Sequence, residues 1–497
     1  MTQTGMTEAC DLPATTARAM IGAKRLSPVE LTQSCIRRIN EVDHAVNAMV
    51  ARDFEGALAA AREAEAAVMR GDALGPLHGL PIGIKDLDEA RGLPTTQGSV
   101  IFRDHISTTD SAPVARVRAG GAVILGKTNT PEFGAGANTR NAVYGATGNP
   151  FDPTRSCAGS SGGSAVALAT GMVPIATGSD TGGSLRNPAG FCGIVGFRPS
   201  QGMVASDKRS AGWSVLPTGG PMARNVSDVC LLFGVMAGND ARDPLSVTPS
   251  ADVTRGVPMA TDLAGIRAAF SPDLGFAPTE RFIRDTFAVK TGLFRHLFGS
   301  TRDASPDCSG ADEAFEILRA VGFLTTHLER VRTRPQHVGP NVTANVEEGL
   351  RYTAADVARA EALQTAMYRR WQGFFAEVDV LITPTITITP RPWRELAPTK
   401  IDGVATRTYF HWLALAYGVT LTGHPAVSLP VGLDDRGMPF GLQIVGRRGG
   451  DAAVLGVAAA LERELAGNVR TARPLPNLSA LRAARPISEM EGFLGFG

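Results

Sequence analysis

One stretch, from Cys157 to Pro199, constrains this chain most because it contains two separate turns rich in glycine and serine. The first turn, AGSSGGS, spans residues 158–164, and the second, SDTGGS, spans residues 179–184. The small and apolar residues between them predict a buried helix followed by a short strand. Glycine lets a backbone approach a ligand closely, and a serine on such a turn, beside free N–H groups, has the geometry that acyl transfer needs. The stretch therefore predicts a serine-based site.

A base for such a serine is not local, because no histidine occurs between His105 and His296. Upstream, residues 78–86 predict a turn and then a short apolar strand that ends in Lys85. A lysine there either extends to solvent or is buried with a lowered pKa, and a buried lysine can be neutral near pH 7 and accept a proton. Strand alternation places Asp86 on the opposite face, which weakens its effect on the charge of Lys85.

Three motifs taken together resemble the amidase signature family: residues 83–86 (GIKD), 159–164 (GSSGGS) and 180–184 (DTGGS). Their separations also fit the Ser–cis-Ser–Lys triad of that family, with 75 residues from Lys85 to Ser160 and 24 from Ser160 to Ser184. The resemblance extends from about residue 20 to about residue 450.

The resemblance implies a role for each of these side chains. Ser184 would be the nucleophile, Ser160 would follow a cis peptide bond and relay a proton, and Lys85 would be the base. Each residue also has a plainer interpretation from its local sequence alone: a helix N-cap for Ser184, an ordinary turn serine for Ser160, and a surface lysine for Lys85.

The second turn also predicts an oxyanion hole. Ser184 follows Gly182 and Gly183 and precedes a predicted helix start, so the consecutive N–H groups from Thr181 to Ser184 would point at one spot. The helix dipole favours developing negative charge at that position.

Further residues are candidates for supporting roles or for the substrate pocket. Ser161 is either a second hydroxyl of the network or a structural hydrogen-bonding group of the turn. Asp180 and Arg186 resemble a supporting pair that fixes the loop. The candidate pocket residues are Phe133, which is equally well explained as core, and two residues of the loop 203–220, Arg209 and Trp213.

Residues 121–128 (GAVILGKT) formally match the phosphate-binding P-loop pattern. A real P-loop has its strand before the first glycine and a loop between the two glycines. Here the four intervening residues are themselves the apolar strand, so we favour a strand that leaves a glycine turn over a nucleotide site.

Cysteine and metal chemistry are disfavoured. Cys157 and Cys192 flank the predicted site, but neither has a paired base within its motif, and His411 and His424 are scattered. No metal-ligand spacing such as HExxH occurs. We expect no metal and no cofactor.

The charge balance argues against nucleic-acid or membrane partners, because the net charge of the 497 residues is +1 with both signs interspersed. The six cysteines are scattered and are expected to be reduced thiols. The N-terminus lacks an apolar signal-peptide core, and no apolar run reaches membrane-spanning length, so we expect a cytoplasmic protein. The oligomeric state is open between monomer and homodimer.

The predicted fold class is α/β. Residues 27–30 (SPVE) predict a capping box with proline at the first helical position and a helix to about residue 40. Further helices are predicted near 57–70, 112–119, 227–237, 271–297, 311–320 and 355–375, and strands near 379–385, 423–430 and 441–446. The resemblance implies one domain over 1–497, an α/β/α sandwich around a mixed sheet, with an N-terminal helical layer at about 1–75 and a variable insert at about 240–350.

The resemblance implies a hydrolase that cleaves the C–N bond of small amides or of related carbamates (urethanes), and in some members the ester bond, through a serine acyl-enzyme. An uncharged, partly apolar substrate is expected because the loop 203–220 and the insert fix few charges in a pocket. Two alternatives stay open: a glutaminase-like subunit of a tRNA-dependent amidotransferase, and a non-catalytic binding protein on the same scaffold.

Overall fold

The computed structural model describes residues 8–495, so the ends of the predicted 1–497 domain lie outside this range. Within it, no helix is long and apolar enough to cross a membrane, and no three His, Cys, Asp or Glu side chains are grouped as metal ligands. The α-helices are α1 (Ala14–Gly22), α2 (Pro28–Val46), α3 (Phe54–Arg70), α4 (Ala112–Ala119), α5 (Gly162–Ala169), α6 (Arg186–Cys192), α7 (Val226–Met236), α8 (Ala251–Thr254), α9 (Arg281–Gly292), α10 (Ala311–Thr333), α11 (Pro340–Gly349), α12 (Ala354–Glu377), α13 (Ala414–Thr422), α14 (Asp451–Ala466) and α15 (Leu478–Ala483).

The strands are β1 (Met49–Arg52), β2 (Pro81–Lys85), β3 (Val123–Thr128), β4 (Arg140–Asn141), β5 (Gly145–Ala146), β6 (Ile175–Asp180), β7 (Val195–Arg198), β8 (Thr218–Ala223), β9 (Arg267–Phe270), β10 (Ser300–Asp303), β11 (Val380–Pro384), β12 (Lys400–Ile401), β13 (Val404–Ala405), β14 (Ala426–Leu433) and β15 (Pro439–Gly446). Eleven of them form one sheet in the order β1-β3-β2-β6-β8-β7-β14-β15-β11-β9-β10.

The large sheet is mixed, as predicted. Strand β2 runs parallel to both β3 and β6, whereas β6 runs antiparallel to β8. Helices flank the sheet: α5 and α6 contact each other and the strands beside them, and α7 and α14 form a second such pair. One large apolar cluster extends from Cys10 to Leu481 and joins these layers. The fold is therefore the predicted α/β arrangement.

Helix α2 begins where the sequence predicts, whereas α3 begins at Phe54, before the predicted residue 57, and α1 was not predicted. The Ser27 hydroxyl accepts hydrogen bonds from the N–H groups of Val29 and Glu30, and Pro28 occupies the first helical position of α2. The helix runs to Val46 rather than to about residue 40, because apolar side chains continue along its buried face. The helical layer also contains an unpredicted strand, β1, which pairs with β3 at the sheet edge.

The segment 240–350 contributes more to the sheet than the sequence indicated. Its strands β9 and β10 are parallel neighbours, and β9 also pairs with β11, so together they extend the main sheet. Helix α10 reaches Thr333, well beyond the predicted residue 320. The P-loop-like residues 121–128 do form a glycine turn and then a fully buried strand, β3, as we favoured above.

Candidate functional site

Lys85 is the centre of the candidate active site. It is the last residue of β2 and is fully buried. Its Nζ donates hydrogen bonds to three serine hydroxyls: Ser160 Oγ at 2.8 Å, Ser161 Oγ at 2.9 Å and Ser179 Oγ at 2.9 Å. Burial lowers the pKa of Lys85 to about 7, against the opposing charges of Asp88 and Asp180. A buried lysine with hydroxyl partners can exchange protons near neutral pH.

The parallel pairing of β2 and β6 brings Lys85 to the two turns. Ile82 of β2 lies beside Ile175 of β6, so the two strands end at the same edge of the sheet. The backbone N–H of Lys85 donates to Thr177 Oγ1 at 2.9 Å, which fixes the end of β2 against β6. Strand β6 then continues into Ser179 and the second turn.

The first turn supplies two hydroxyls to the lysine. The peptide bond between Gly159 and Ser160 is cis, as the family resemblance implies for this position. Ser161 serves both of its predicted purposes, since its Oγ accepts from Lys85 and also donates to the carbonyl of Ser179 at 3.3 Å. Its N–H donates to the carbonyl of Ser184 at 3.2 Å. The two turns are therefore joined directly.

The second turn is held by buried charges. Arg186 donates to both carboxylate oxygens of Asp180, at 3.0 and 2.9 Å, and Arg198 donates to Oδ1 at 3.0 Å. Burial raises the pKa of Asp180, but the two guanidinium groups outweigh it and hold the pKa well below its usual range. Burial lowers the pKa of Arg198 to about 10. Arg198 lies beyond both motifs, so its part in this network was not predicted.

Ser184 stands on this braced turn, immediately before α6, and is half-buried. Among the four N–H groups predicted to face an oxyanion, that of Gly183 is already used, because it donates to Asp180 Oδ1 at 2.9 Å. This bond argues against a part for Gly183 in the oxyanion hole, which stays a prediction. The N–H groups of Thr181, Gly182 and Ser184 make no hydrogen bond to any other residue between 8 and 495.

The three predicted pocket residues have different environments. Phe133 belongs to a segment that reaches the triad, since a Cβ built on the next residue, Gly134, would lie 3.3 Å from Ser160 Oγ. Its ring centroid lies 4.6 Å from that of His327 on α10. Arg209 instead donates to the carbonyls of Ser214 and Pro217, so its guanidinium fastens its own loop.

Trp213 is 78% exposed. The pocket roles of Arg209 and Trp213 stay predictions, and neither side chain is seen to contact the triad. The loop 203–220 is held by Arg209, which donates to two of its carbonyls and pairs with Asp243, and sequence composition does not distinguish this arrangement from a binding loop.

Two apolar side chains that the sequence did not reveal lie against the second turn. A Cβ built on Gly182 would lie 3.3 Å from the ring of Phe315 and 3.8 Å from Leu413. Phe315, on α10, stacks on Tyr417 with 4.4 Å between ring centroids. Phe315 follows the turn by more than a hundred residues, so no local pattern could have linked the two. The wall beside the turn is apolar and aromatic.

Cys157, Cys192 and His424, which could have indicated cysteine or metal chemistry, are all buried. Burial raises the pKa of Cys157 to about 12, so the thiol form is strongly favoured at neutral pH. Burial also raises the pKa of Cys192. His424 is packed among aromatic rings, and burial lowers its pKa to about 3.

Known proteins resemble this chain over nearly its whole length. A profile of the Amidase family matches residues 30–455. An acylamidase of Rhodococcus erythropolis is 35% identical over 458 residues, which cover 91% of this chain and 95% of that protein. A glutamyl-tRNA(Gln) amidotransferase subunit of Chloroflexus aggregans is 36% identical over 485 residues, covering 92% and 97%.

A solved structure shares the fold as well. The crystal structure of a bacterial aryl acylamidase of the amidase signature family superposes with a TM-score of 0.86 at 26% identity, covering 96% of this chain and 99% of that one. The matched residues include Lys85, both serine turns and the strands that join them. The chain therefore belongs to the amidase signature family, whose members hydrolyse the C–N bonds of amides.

Proposed function

We propose that this protein is a stand-alone hydrolase that cleaves small, uncharged amides through an acyl-enzyme on Ser184. The observation that carries this proposal is the fully buried Lys85, whose Nζ lies 2.8 Å from Ser160 Oγ on the turn joined to Ser184. The acylamidase relative and the aryl acylamidase structure support an amide substrate.

The first step forms the bond between Ser184 Oγ and the substrate carbonyl carbon. The proton of Ser184 passes to Ser160 Oγ as the proton of Ser160 passes to neutral Lys85 Nζ. The negative charge that develops on the carbonyl oxygen is stabilised by the N–H groups of Thr181, Gly182 and Ser184.

The tetrahedral intermediate then breaks its C–N bond. Lys85 returns a proton through Ser160 to the leaving amine, which departs neutral and leaves the acyl group on Ser184. Water then attacks the acyl carbon and gives its proton through Ser160 to Lys85. Lys85 returns a proton through Ser160 to Ser184 Oγ as the C–O bond to Ser184 breaks, which releases the acid and regenerates the Ser184 hydroxyl. Ser161 and Ser179 keep Nζ directed at Ser160 when Lys85 is neutral or charged, because a hydroxyl can accept or donate.

The apolar wall of Phe315 and Leu413 favours a substrate with an apolar group next to the carbonyl. The same acyl-enzyme route serves carbamates and esters, because only the leaving group differs. We place amides first, since the named relatives act on amides.

A second candidate is the glutamine-hydrolysing subunit of a tRNA-dependent amidotransferase. It is favoured by the 36% identity to the Chloroflexus aggregans amidotransferase subunit, of which the match covers 97%. That role would require partner subunits and would release ammonia from glutamine. A binding protein that has lost activity is disfavoured, because Lys85, Ser160 and Ser184 are all present.

The test is a turnover panel on the purified chain: an aryl anilide, a primary aliphatic amide, an aryl ester, an aryl carbamate and glutamine. Each substrate is also given to Ser184→Ala and to the matched control Ser210→Ala, which removes an exposed hydroxyl in the loop 203–220. We expect the anilide to be cleaved by the wild type and by Ser210→Ala, and kcat to fall by at least about a thousandfold in Ser184→Ala.

Full turnover by Ser184→Ala would refute the proposal. Cleavage of glutamine alone, or of no substrate until partner subunits are added, would favour the amidotransferase role instead. Mass spectrometry of the wild type during ester turnover adds a direct readout, because an acyl group bound to Ser184 increases the mass of the chain by that group.

A further inference from the structure

A second fully buried lysine lies on the strand next to Lys85. Lys127 belongs to β3 and is paired with Ile84 of β2, while Thr128 is paired with Lys85. Paired residues of adjacent strands project to the same face, and consecutive residues project to opposite faces. The two lysines therefore lie on opposite faces of the same two-strand unit. Lys127 is the lysine of the P-loop-like motif, for which the proposed function has no use.

The contacts of Lys127 differ in kind from those of Lys85. Its Nζ donates to the carbonyl of Asp88 at 2.6 Å and to Thr95 Oγ1 at 2.8 Å, and it lies 3.4 Å from Asp86 Oδ1. The hydrogen-bond partners of Lys85 Nζ within residues 8–495 are, in contrast, all hydroxyls. A carboxylate and a carbonyl stabilise an ammonium group much better than hydroxyls do, so Lys127 has the environment of the charged form.

Asp88 connects the two faces. Its carboxylate accepts from Thr177 Oγ1 at 3.0 Å, and the same Thr177 oxygen accepts the N–H of Lys85. Burial raises the pKa of Asp88, and the positive charge of Lys127 opposes that rise. The charge of Asp88 acts to favour the protonated form of Lys85, and the charge of Lys127 offsets part of that effect.

The charges around Lys85 are compensated in two groups. Asp88 and Asp180 both act to raise the pKa of Lys85. Asp180 is paired with Arg186 and Arg198, whereas Lys127 contacts the backbone carbonyl of Asp88 and acts on its carboxylate through space. Each carboxylate near Lys85 therefore has a cation other than Lys85 that offsets its charge.

Other titratable groups also face this unit. Burial raises the pKa of Asp86, and Lys127 opposes it. Burial lowers the pKa of Lys127, against Asp86, Asp88 and Glu89. Asp207 adds negative charge near Asp88, and Tyr144, whose pKa burial raises to about 12, faces Asp86.

We propose that Lys127 is a positioning residue that neutralises Asp86 and Asp88 behind the sheet and thereby keeps Lys85 in the neutral form that the proposed function requires. Lys127 acts through Asp88, Thr177 and the end of β2, and it takes no part in bond making. The inference rests on the proposed role of Lys85 as the base.

The test is the pH dependence of kcat/KM in Lys127→Met, which removes the charge and keeps most of the volume. Loss of the cation leaves Asp88 to act on Lys85, so the acid limb of the profile should move to higher pH by about one unit, with activity recovering toward the wild-type value at high pH. Asp88→Asn should move the limb to lower pH, and Lys127→Met/Asp88→Asn should return it close to the wild-type position. Lys208→Met, an exposed lysine, is the matched control and should not move it.

For the same variants, the rate of inactivation by an arylsulfonyl fluoride is measured as a function of pH. This rate reports the reactivity of Ser184 in the free protein. An equal loss of rate at every pH in Lys127→Met would overturn the inference and indicate a structural role only. If circular dichroism shows that Lys127→Met does not fold, Asp88→Asn decides, and an unmoved acid limb in that variant overturns the inference. The proposed function fails separately, through a fully active Ser184→Ala.

Discussion

The stretch 157–199 and the loop 203–220 are both rich in glycine and serine, yet the structure uses them differently. In the first, the backbone is buried between strands and helices, and the serine hydroxyls of residues 160, 161 and 179 converge on Lys85. In the second, the backbone carbonyls of Ser214 and Pro217 are occupied by Arg209, and Trp213 faces solvent.

The difference teaches that glycine and serine make a reactive site only where buried secondary structure holds them. The turns of the first stretch are fixed by β2, β6 and the Asp180 pairs, so their hydroxyls and free N–H groups are held in place even where Ser179, Thr181 and Ser184 are half-buried. In the loop 203–220, by contrast, Arg209 pairs with Asp243 outside the loop and Lys208 pairs with Glu89 at the surface. Four predictions test this contrast, beginning with the largest expected effect.

Lys85→Met and Lys208→Met compare the lysine that the serine turns contact with a lysine of the loop 203–220. Lys85→Met removes the base and should lower kcat by at least about a thousandfold with little change in KM. Lys208 has a 45% exposed side chain and an ion pair with Glu89, and its replacement should change kcat/KM less than about twofold. Steady-state kinetics on the anilide measures both, and comparable losses in the two variants would contradict the contrast.

Asp180→Asn and Asp243→Asn compare the carboxylates that hold the two regions. Asp180 pairs with two fully buried arginines, so its neutralisation should lower the free energy of unfolding by about 3–5 kcal/mol. Asp243 pairs with Arg209, which is partly exposed, and should cost less. Urea denaturation followed by circular dichroism gives both values. A larger loss for Asp243→Asn would show that the loop, not the serine turn, depends more on its charges.

The stability of Lys85→Met relative to the wild type should depend on pH. Unfolded Lys85 binds a proton up to its ordinary pKa of 10.5, whereas burial lowers the pKa in the folded chain to about 7. Between these values the unfolded state binds more protons, so this lysine makes the wild type more stable as pH rises. The stability gained by Lys85→Met should therefore be greatest near pH 7 and decline toward pH 10. Denaturation at several pH values measures it, and a difference that is flat over this range would mean that Lys85 is not titrating there.

Trp213→Ala should have the smallest effect. The side chain is largely exposed, so kcat/KM should change less than about twofold and the melting temperature by about 1 °C or less. Phe315→Ala is the matched comparison, because it removes a buried ring beside Gly182 and should raise KM for an apolar substrate. A large rise in KM for Trp213→Ala alone would place substrate at the loop 203–220 and reverse our assignment.

Much of the fold was predictable because its signals are local. The cap at Ser27, helix α4 and strand β3 all follow from capping residues, glycine turns and apolar periodicity within a few positions. Strand β1 and the strands β9 and β10 were missed, since such four-residue strands are defined by pairing with neighbouring strands rather than by their own sequence.

The candidate site divides in the same way. Lys85, Ser160 and Ser184 are predicted from their motifs, and the placement of Asp86 on the face of Lys127 agrees with strand alternation. Ser179, Arg198 and Phe315 carry no motif that marks their contacts, and the N–H of Gly183 was assigned to the oxyanion although Asp180 binds it.

The sequence by itself determined which residue types are available: a lysine at the end of an apolar strand, serines on glycine turns, and a Gly-Gly-Ser segment before a helix. The motifs that mark these residues consist only of residues that are neighbours in the sequence. The tertiary structure decided the surroundings of those residues, because burial, the parallel pairing of β2 with β6 and the ion pairs of Asp180 arise only when distant segments pack together. Lys85 and Lys127 show the physical reason most directly: both are buried lysines on adjacent strands, but the partners of one are hydroxyls, whereas the other contacts a carbonyl and a carboxylate.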